Sequence, residues 1–243
     1  MSAEAERVRK RDLDVGLPRL VGHVVEVALR IRVVEVDGRR QQAPIDGEDA
    51  GRGLDCARGA EVLSRMLNYH NRGTAVIFGD GAGAAVVRPA PTGAGFRSWC
   101  LGSDGRGFAQ VTCGNIEKGA YAANDATPYI DMVGPDVFKF AVDIFIRQAN
   151  EVCNTAGVAL EDIDLWVPHQ ANFRIIDAAA RRIGLALERV AINIDEYGNT
   201  SSASIPLALE EAIRQGRVKS GDHVLLAGFG SGLTWGATLM TWV

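Results

Sequence analysis

Short apolar runs alternate with longer stretches of helical periodicity from about residue 59 to the end of the chain. An apolar run of strand length between turn residues predicts a buried strand, whereas apolar residues recurring every three or four positions predict a helix with one buried face. Strands followed by helices, with two strands in succession at the end, indicate a layered α/β fold. We predict strands at residues 74–78, 84–88, 96–102, 163–167, 190–194, 223–228 and 233–242, and helices at residues 131–156, 171–183 and 201–215.

Three local features refine this prediction. Gly157 is expected to end the longest helix in the left-handed conformation that glycine adopts readily. Asp177 and Arg181 are four residues apart on the next helix and are expected to pair on its solvated face. The run GDGAG at residues 79–83 lacks the lysine of a phosphate-binding loop, so we interpret its glycines as allowing a close approach of backbone at the core.

One histidine and one asparagine each lie where a predicted strand gives way to a helix. His169 follows the strand at 163–167, and Asn199 follows the strand at 190–194. Polar groups gather at the carboxyl ends of strands in such folds, and an imidazole N–H with a carboxamide could stabilise a developing oxyanion such as an enolate. The alternative is structural: Asn199 caps the following helix, and His169 is satisfied by backbone groups.

Four motifs, in this order, resemble the β-ketoacyl-acyl-carrier-protein synthase III family, the starter condensing enzyme of type II fatty-acid synthesis. They are GDGAG at 79–83, HQANxR at 169–174, GNTS at 198–201 and GFGSGxTWG at 228–236. The resemblance extends over residues 59–243. It implies an α/β fold of the thiolase-like, layered αβαβα type, with a complete carboxyl-terminal half at 96–243 and a remnant of the amino-terminal half at 59–95.

The resemblance implies a role for five residues. His169 and Asn199 would stabilise the enolate oxygen, and the backbone N–H of Ser231 would form half of an oxyanion hole. Asn172 would hydrogen-bond the pantetheine arm, and Arg174 would contact the acidic carrier protein or the coenzyme A phosphates. The implied reaction condenses an acyl-CoA with malonyl-acyl-carrier protein, needs no cofactor and no metal, and takes place in a homodimer.

Residues 1–58 differ from the rest of the chain. They contain no aromatic residue, since the first is Tyr69. Residues 20–36 could form two short strands, and residues 37–58 have the composition of a loop or a poorly ordered segment. The family's nucleophilic cysteine would fall near residues 33 and 34, which are both valine, and Cys56 lacks the small neighbours of that nucleophile. We therefore hypothesise that residues 1–58 come from a shifted reading frame, a wrong start or a gene rearrangement.

Composition excludes several classes of protein. The net charge is −4 with no basic tail, so nucleic acid is not an expected partner. No apolar run has membrane-spanning length and no signal peptide is visible, so we predict a soluble, cytoplasmic protein with no membrane partner. The four cysteines and four histidines lack metal-ligand spacing, so we predict reduced thiols and no metal site.

Two functions remain open without the family's nucleophile. The first is an enzyme by descent, impaired in condensation but able to bind or decarboxylate a malonyl thioester. The second is a non-catalytic homologue that binds acyl-CoA or carrier protein and pairs with an intact relative. The family dimerises through the half that is altered here, which weakens the second interpretation. The motif set argues against a third, a hydroxymethylglutaryl-type condensing enzyme.

Overall fold

The computed structural model describes residues 55–87, 90, 92–114 and 129–243. The predictions for residues 1–54, including the two short strands and the foreign origin of the segment, therefore lie outside the described residues. Within the described residues, five short 3-10 helices accompany the main elements. The strands are β1 (Asp55–Glu61), β2 (Gly81–Val87), β3 (Gly95–Ser103), β4 (Val111–Cys113), β5 (Ile130–Met132), β6 (Leu165–Pro168), β7 (His223–Gly230) and β8 (Thr234–Thr241), and the helices are α1 (Arg72–Ala75), α2 (Gly134–Ala156), α3 (Phe173–Ile183), α4 (Ile194–Tyr197) and α5 (Ser204–Arg214).

A four-stranded sheet with the order β3-β8-β7-β6 organises residues 95–243, the carboxyl-terminal sheet region. β8 pairs antiparallel with both β3 and β7, whereas β6 runs parallel to β7. The parallel pair arises because the chain crosses from β6 to β7 through α3 and α5, as a parallel connection requires. This arrangement confirms the predicted α/β class and the antiparallel pair at the end of the chain.

Helices cover both faces of this sheet. On one face α2 and α3 build a core around Phe145 and Trp166, whose rings meet edge to face at 5.2 Å. On the other face α5 packs Ala208 and Ala212 against buried residues of β6 and β7. The apolar period of α2 explains its position, since its buried residues recur every three or four positions along 23 residues.

The remaining described segment, residues 55–87, is the amino-terminal hairpin region. β1 and β2 pair antiparallel, with Cys56 opposite Val86 in the register. The hairpin packs on α5 and on the 3-10 helix that precedes it. Leu63 and Leu67 form a small third cluster with Ile130. The sequence pattern did not predict β1 as a strand, because its residues are mostly small or polar.

Several predicted features are confirmed. Gly157 ends α2 with φ of 68°. Asp177 and Arg181 form an ion pair with an N–O distance of 3.0 Å. The helix expected from residue 131 begins instead at Gly134, with Pro135 in its first turn, because residues 130–132 pair with β4 as β5. Between β3 and β5 the chain forms a 3-10 helix at Gly105–Gln110 and then β4, and residues 115–128 lie outside the described part.

Two predicted strands are wrong. Residues 74–78 contain the end of α1, a helix whose beginning is capped by the Asn71 side chain, which accepts a hydrogen bond from Gly73 N. Residues 190–194 lead into α4. In each segment one residue alone makes a strand-like bridge, Phe78 to Asn199 and Val190 to Trp166. An apolar run becomes a strand only where a neighbouring strand offers a continuous ladder of partners, and neither segment has one.

Candidate active site

A cavity of about 1010 Å³ lies between the hairpin region and the carboxyl ends of β6 and β7. Its apolar wall includes Leu63, Phe78 and Ile205, so residues of both regions form it. All five residues named from the sequence line this cavity: His169, Asn172, Arg174, Asn199 and Ser231. His169 reaches the cavity from the end of β6, whereas Asn199 follows α4 and not the strand predicted at 190–194.

His169 is held by backbone and side-chain contacts at the end of β6. Its backbone N–H donates to the Ala227 carbonyl at 2.8 Å, which continues the pairing of β6 with β7. Its ring lies edge to face on Phe229 with 5.5 Å between centroids, and Nδ1 is 2.7 Å from Ser204 Oγ. Burial disfavours the charged imidazolium and lowers the pKa of His169 to about 4. The imidazole is therefore neutral near pH 7.

Asn199 is fixed by the hairpin region. Its backbone N–H donates to the Ile77 carbonyl at 2.9 Å, and its carbonyl accepts from Gly79 N at 3.0 Å. Its Oδ1 accepts from Ser201 N at 2.9 Å. The residue is 7% exposed, and its Nδ2 donates to no described residue. The capping interpretation is wrong, because Thr200 and Ala203 hold the N-cap positions of the helices that follow and the Oδ1 bond closes a local turn. The amide N–H groups remain for a ligand in the cavity.

Close backbone contact explains the glycines beside Asn199. A Cβ on Gly79 would lie 2.1 Å from the Tyr197 carbonyl oxygen, which no side chain tolerates. Gly198 has φ of 69°, a conformation that glycine adopts without strain. Ser201 has φ of 51° and is the described non-glycine residue with positive φ. Such strain in a non-glycine residue is concentrated at functional turns.

The other three residues lie toward the mouth of the cavity. Asn172 caps α3, because its Oδ1 accepts a hydrogen bond from Arg174 N at 2.9 Å. Arg174 is exposed in the first turn of α3 and makes no ion pair with any described residue. Ser231 is exposed between β7 and β8, and its carbonyl accepts from Thr234 Oγ1 at 3.0 Å. The guanidinium and one amide group are therefore available to a ligand at the mouth.

The described thiols do not resemble an activated nucleophile. Burial raises the pKa of Cys100 and Cys113, and raises that of Cys153 to about 11. Among the described residues no cysteine side chain lines the cavity. For Cys56 the structure describes the backbone in β1 alone. The described residues also contain no group of three or more His, Cys, Asp and Glu residues that could hold a metal ion.

Sequence reasoning missed three residues that build the site. Ser204 contacts the His169 ring, and Phe229 forms the wall beside it. Gln170 is fully buried, donating through Nε2 to the Pro168 and Ala191 carbonyls and accepting from Asn193 N through Oε1. Gln170 and Phe229 belong to motifs that carry the resemblance, and Ser204 lies three residues after the GNTS motif. Their position in or near the motifs could have indicated a role in the site. Their contacts could not be predicted, because they join segments that are distant in sequence.

Comparison with known proteins identifies the relatives of this chain. The family model described as 3-oxoacyl-[acyl-carrier-protein (ACP)] synthase III C terminal matches residues 153–242, and that described as 3-oxoacyl-[acyl-carrier-protein (ACP)] synthase III matches residues 57–105. A β-ketoacyl-[acyl-carrier-protein] synthase III from Symbiobacterium thermophilum is 47% identical over 194 residues, which cover 77% of this chain and 59% of the relative. One from Clostridioides difficile is 50% identical over 190 residues, covering 76% and 57%.

A solved structure has the same arrangement of elements. The β-ketoacyl-[acyl-carrier-protein] synthase III of Thermus thermophilus superimposes with a TM-score of 0.73 and is 50% identical, covering 81% of this chain and 61% of that one. The fold therefore belongs to the thiolase-like α/β class. Over the matched residues the chain belongs to the β-ketoacyl-acyl-carrier-protein synthase III family. It spans less than two thirds of the length of these relatives.

In the part of the chain that the structure describes, no helix is both long and apolar enough to cross a membrane.

Proposed function

We propose that this chain binds a malonyl thioester and decarboxylates it, with His169 and Asn199 stabilising the enolate oxygen. The observation that carries the proposal is the meeting of these two side chains in one cavity, each with a hydrogen-bond donor available to a ligand. The family's complete reaction, condensation of an acyl-CoA with malonyl-acyl-carrier protein, is the parent activity from which this step derives.

The proposed step has a simple electron balance. The bond between the malonyl carboxylate carbon and the α-carbon breaks, and carbon dioxide leaves. The electron pair of that bond forms the enolate, whose oxygen carries the new negative charge. The enolate then takes a proton from water at carbon and becomes the acetyl thioester. Preorganised donors aimed at the developing charge lower the barrier to such a step.

The state of the two donors suits this role. The lowered pKa of His169 makes its imidazole neutral near pH 7, so it stabilises charge as a hydrogen-bond donor. Asn199 contributes an amide donor that needs no proton transfer. Because Phe229, Phe78 and Ile205 line the same space, the donors act where little water competes for the oxygen.

The residues at the mouth support a thioester on a phosphopantetheine arm. Arg174 offers a guanidinium that can make paired hydrogen bonds to phosphate or to an acidic carrier protein. Asn172 offers its remaining amide group to the pantetheine arm, and the backbone N–H of Ser231 is proposed to contact the thioester carbonyl. The homodimer, the cytoplasmic location and the division at residues 58 and 95 remain predictions.

The condensation half-reaction is not included in the proposal. It needs a thiolate to take up the acyl group, and the described thiols have raised pKa values and lie outside the cavity wall. Thioester binding without turnover is therefore the second candidate function, and it is favoured by the same absence of a described thiol in the cavity.

The test is release of carbon dioxide from malonyl-CoA and from malonyl-acyl-carrier protein by the full chain. We expect measurable release, reduced by about 10²–10³-fold in His169→Ala and in Asn199→Ala, since each variant lacks one donor to the oxyanion. His70→Ala is the matched histidine control, because His70 is exposed on the hairpin region away from the cavity. It should retain full activity.

The outcomes separate the two candidates. Release that is equal in wild type and His169→Ala contradicts the proposal. Malonyl-CoA binding by calorimetry with no release by the wild type supports the binding function instead.

A further inference from the structure

Ser204 connects the two halves of the site. It is the first residue of α5, it is 1% exposed, and its Oγ lies 2.7 Å from His169 Nδ1. The same oxygen accepts a hydrogen bond from the backbone N–H of Gln170 at 3.2 Å. The helix that follows Asn199 therefore places one hydroxyl against both the ring and the backbone of the turn after β6.

The other hydrogen bonds of the Ser204 hydroxyl decide whether it donates to the His169 ring or accepts from it. A serine hydroxyl has one proton to donate and lone pairs that accept. The Gln170 N–H uses one lone pair. No carbonyl or carboxylate of the described residues accepts the Ser204 proton, so His169 Nδ1 is its available acceptor.

We propose that Ser204 is a positioning residue that donates to His169 Nδ1 and thereby holds the imidazole proton on Nε2. This inference rests on the proposed function, because an Nε2–H is the group that a substrate oxygen in the cavity requires. In a neutral imidazole one nitrogen carries the proton and the other accepts, and the partner of one nitrogen sets the state of the other. With the tautomers reversed, a lone pair would face the enolate and repel it.

Among the described neighbours of the His169 ring, only Ser204 can set its tautomer by a hydrogen bond. Phe229 contacts the ring edge to face and offers no hydrogen bond. Within the described residues, no side chain other than Ser204 makes a hydrogen bond to the ring. Burial keeps the ring neutral, so the tautomer rather than the charge decides whether it donates.

The first experiment is long-range proton–nitrogen NMR of the full chain labelled with ¹⁵N-histidine, at pH 7. We expect the wild type to show His169 protonated at Nε2, with Nδ1 shifted toward the value of a hydrogen-bonded acceptor. Ser204→Ala should give a mixture of tautomers, and Ser204→Thr, which keeps the hydroxyl, should restore the wild-type pattern. Assignment comes from the loss of the His169 signals in His169→Gln.

The matched control is Ser98→Ala. Ser98 is also a buried serine, and its hydroxyl donates to the Val152 carbonyl at 2.6 Å, but it lies on β3 away from the His169 ring. It should leave the His169 tautomer unchanged, which separates loss of this donor from the general effect of removing a buried hydroxyl.

Carbon dioxide release provides the second readout. Because Ser204→Ala keeps the imidazole and lets it populate the wrong tautomer, we expect about tenfold slower release, less than the effect of removing the donor outright. A wild-type His169 protonated at Nδ1, or a Ser204→Ala spectrum identical to the wild type, overturns the inference. Because the NMR measurement needs no turnover, it decides this point even if the wild type releases no carbon dioxide.

Discussion

The carboxyl-terminal sheet region and the amino-terminal hairpin region are built in different ways. The sheet region has four paired strands with buried clusters on both faces. The hairpin region has one two-stranded ladder and contributes two buried residues, Leu63 and Leu67, to a small cluster. A two-stranded hairpin is marginal in water unless it packs on something larger. The hairpin region therefore depends on α5 and its preceding turn for its position.

The site takes a different component from each region. His169 lies at the end of a strand that is buried in the sheet, whereas Asn199 is held by backbone bonds to Ile77 and Gly79 of the hairpin region. One donor is thus supported by the rigid region, and the other by contact between the regions. The difference indicates that damage to the hairpin region should affect Asn199 before it affects His169.

The largest expected effect compares the cores of the two regions. Phe145→Ala removes a fully buried ring that contacts Trp166 and Phe229, both at 5.2 Å between centroids, and should lower the free energy of unfolding by about 3–5 kcal/mol. Leu63→Ala in the small cluster should lower it by about 2 kcal/mol. Urea unfolding measures both, with exposed Phe108→Ala as the control. An equal or larger loss for Leu63→Ala would contradict the contrast between the regions.

The sequence predicted best those elements whose pattern depends on a single segment. The apolar period of α2 and α3, the Gly157 stop and the Asp177–Arg181 pair are local properties, and all are present. The strands predicted at 74–78 and 190–194 are wrong because strand formation depends on a partner that periodicity does not reveal. His169 does follow a strand, but Asn199 follows α4, so its place beside the same cavity does not come from the strand end that the sequence predicted. The contact of Ser204 with His169 joins residues 35 positions apart, and residue spacing gives no sign of it.

The second prediction concerns acid. The folded-state pKa of His169 is about 4, below its ordinary value of 6.5. Between these values the unfolded chain binds the proton and the folded chain does not, so stability is fully present above pH 6.5 and falls as the pH falls. The slope for one such group is about 1.4 kcal/mol per pH unit, or on the order of 3 kcal/mol by pH 4. Urea unfolding between pH 7 and pH 4.5 measures it.

The comparison variants for this measurement are His169→Asn and His70→Asn. His169→Asn removes the buried titrating group from the sheet region. The free energy of unfolding should then fall less steeply with falling pH, by about 1.4 kcal/mol per pH unit. His70→Asn removes an exposed histidine of the hairpin region and should leave the slope as in the wild type. If the two variants have the same slope, the ring of His169 is not desolvated in the folded state.

The smallest expected effect tests the contact between the regions directly. Gly79→Ala would place a Cβ 2.1 Å from the Tyr197 carbonyl oxygen. The segment at residues 77–79, which holds Asn199 by backbone hydrogen bonds, must therefore move. We expect a loss of about 1–3 kcal/mol in urea unfolding and a shift of the Asn199 side-chain amide signals in NMR. The Trp166 indole signal should stay in place, because its surroundings in the sheet region are unchanged.

Gly105→Ala is the control for that substitution, since a Cβ there meets nothing within 4 Å, and it should change stability by no more than about 0.5 kcal/mol. The decisive comparison is between the two NMR signals in Gly79→Ala. If the Asn199 amide moves alone, the hairpin region acts as a separate support for one donor of the site. If the Trp166 indole moves as far as the Asn199 amide, strain at Gly79 spreads through both regions, and they behave as one packed unit in which neither donor can be disturbed without the other.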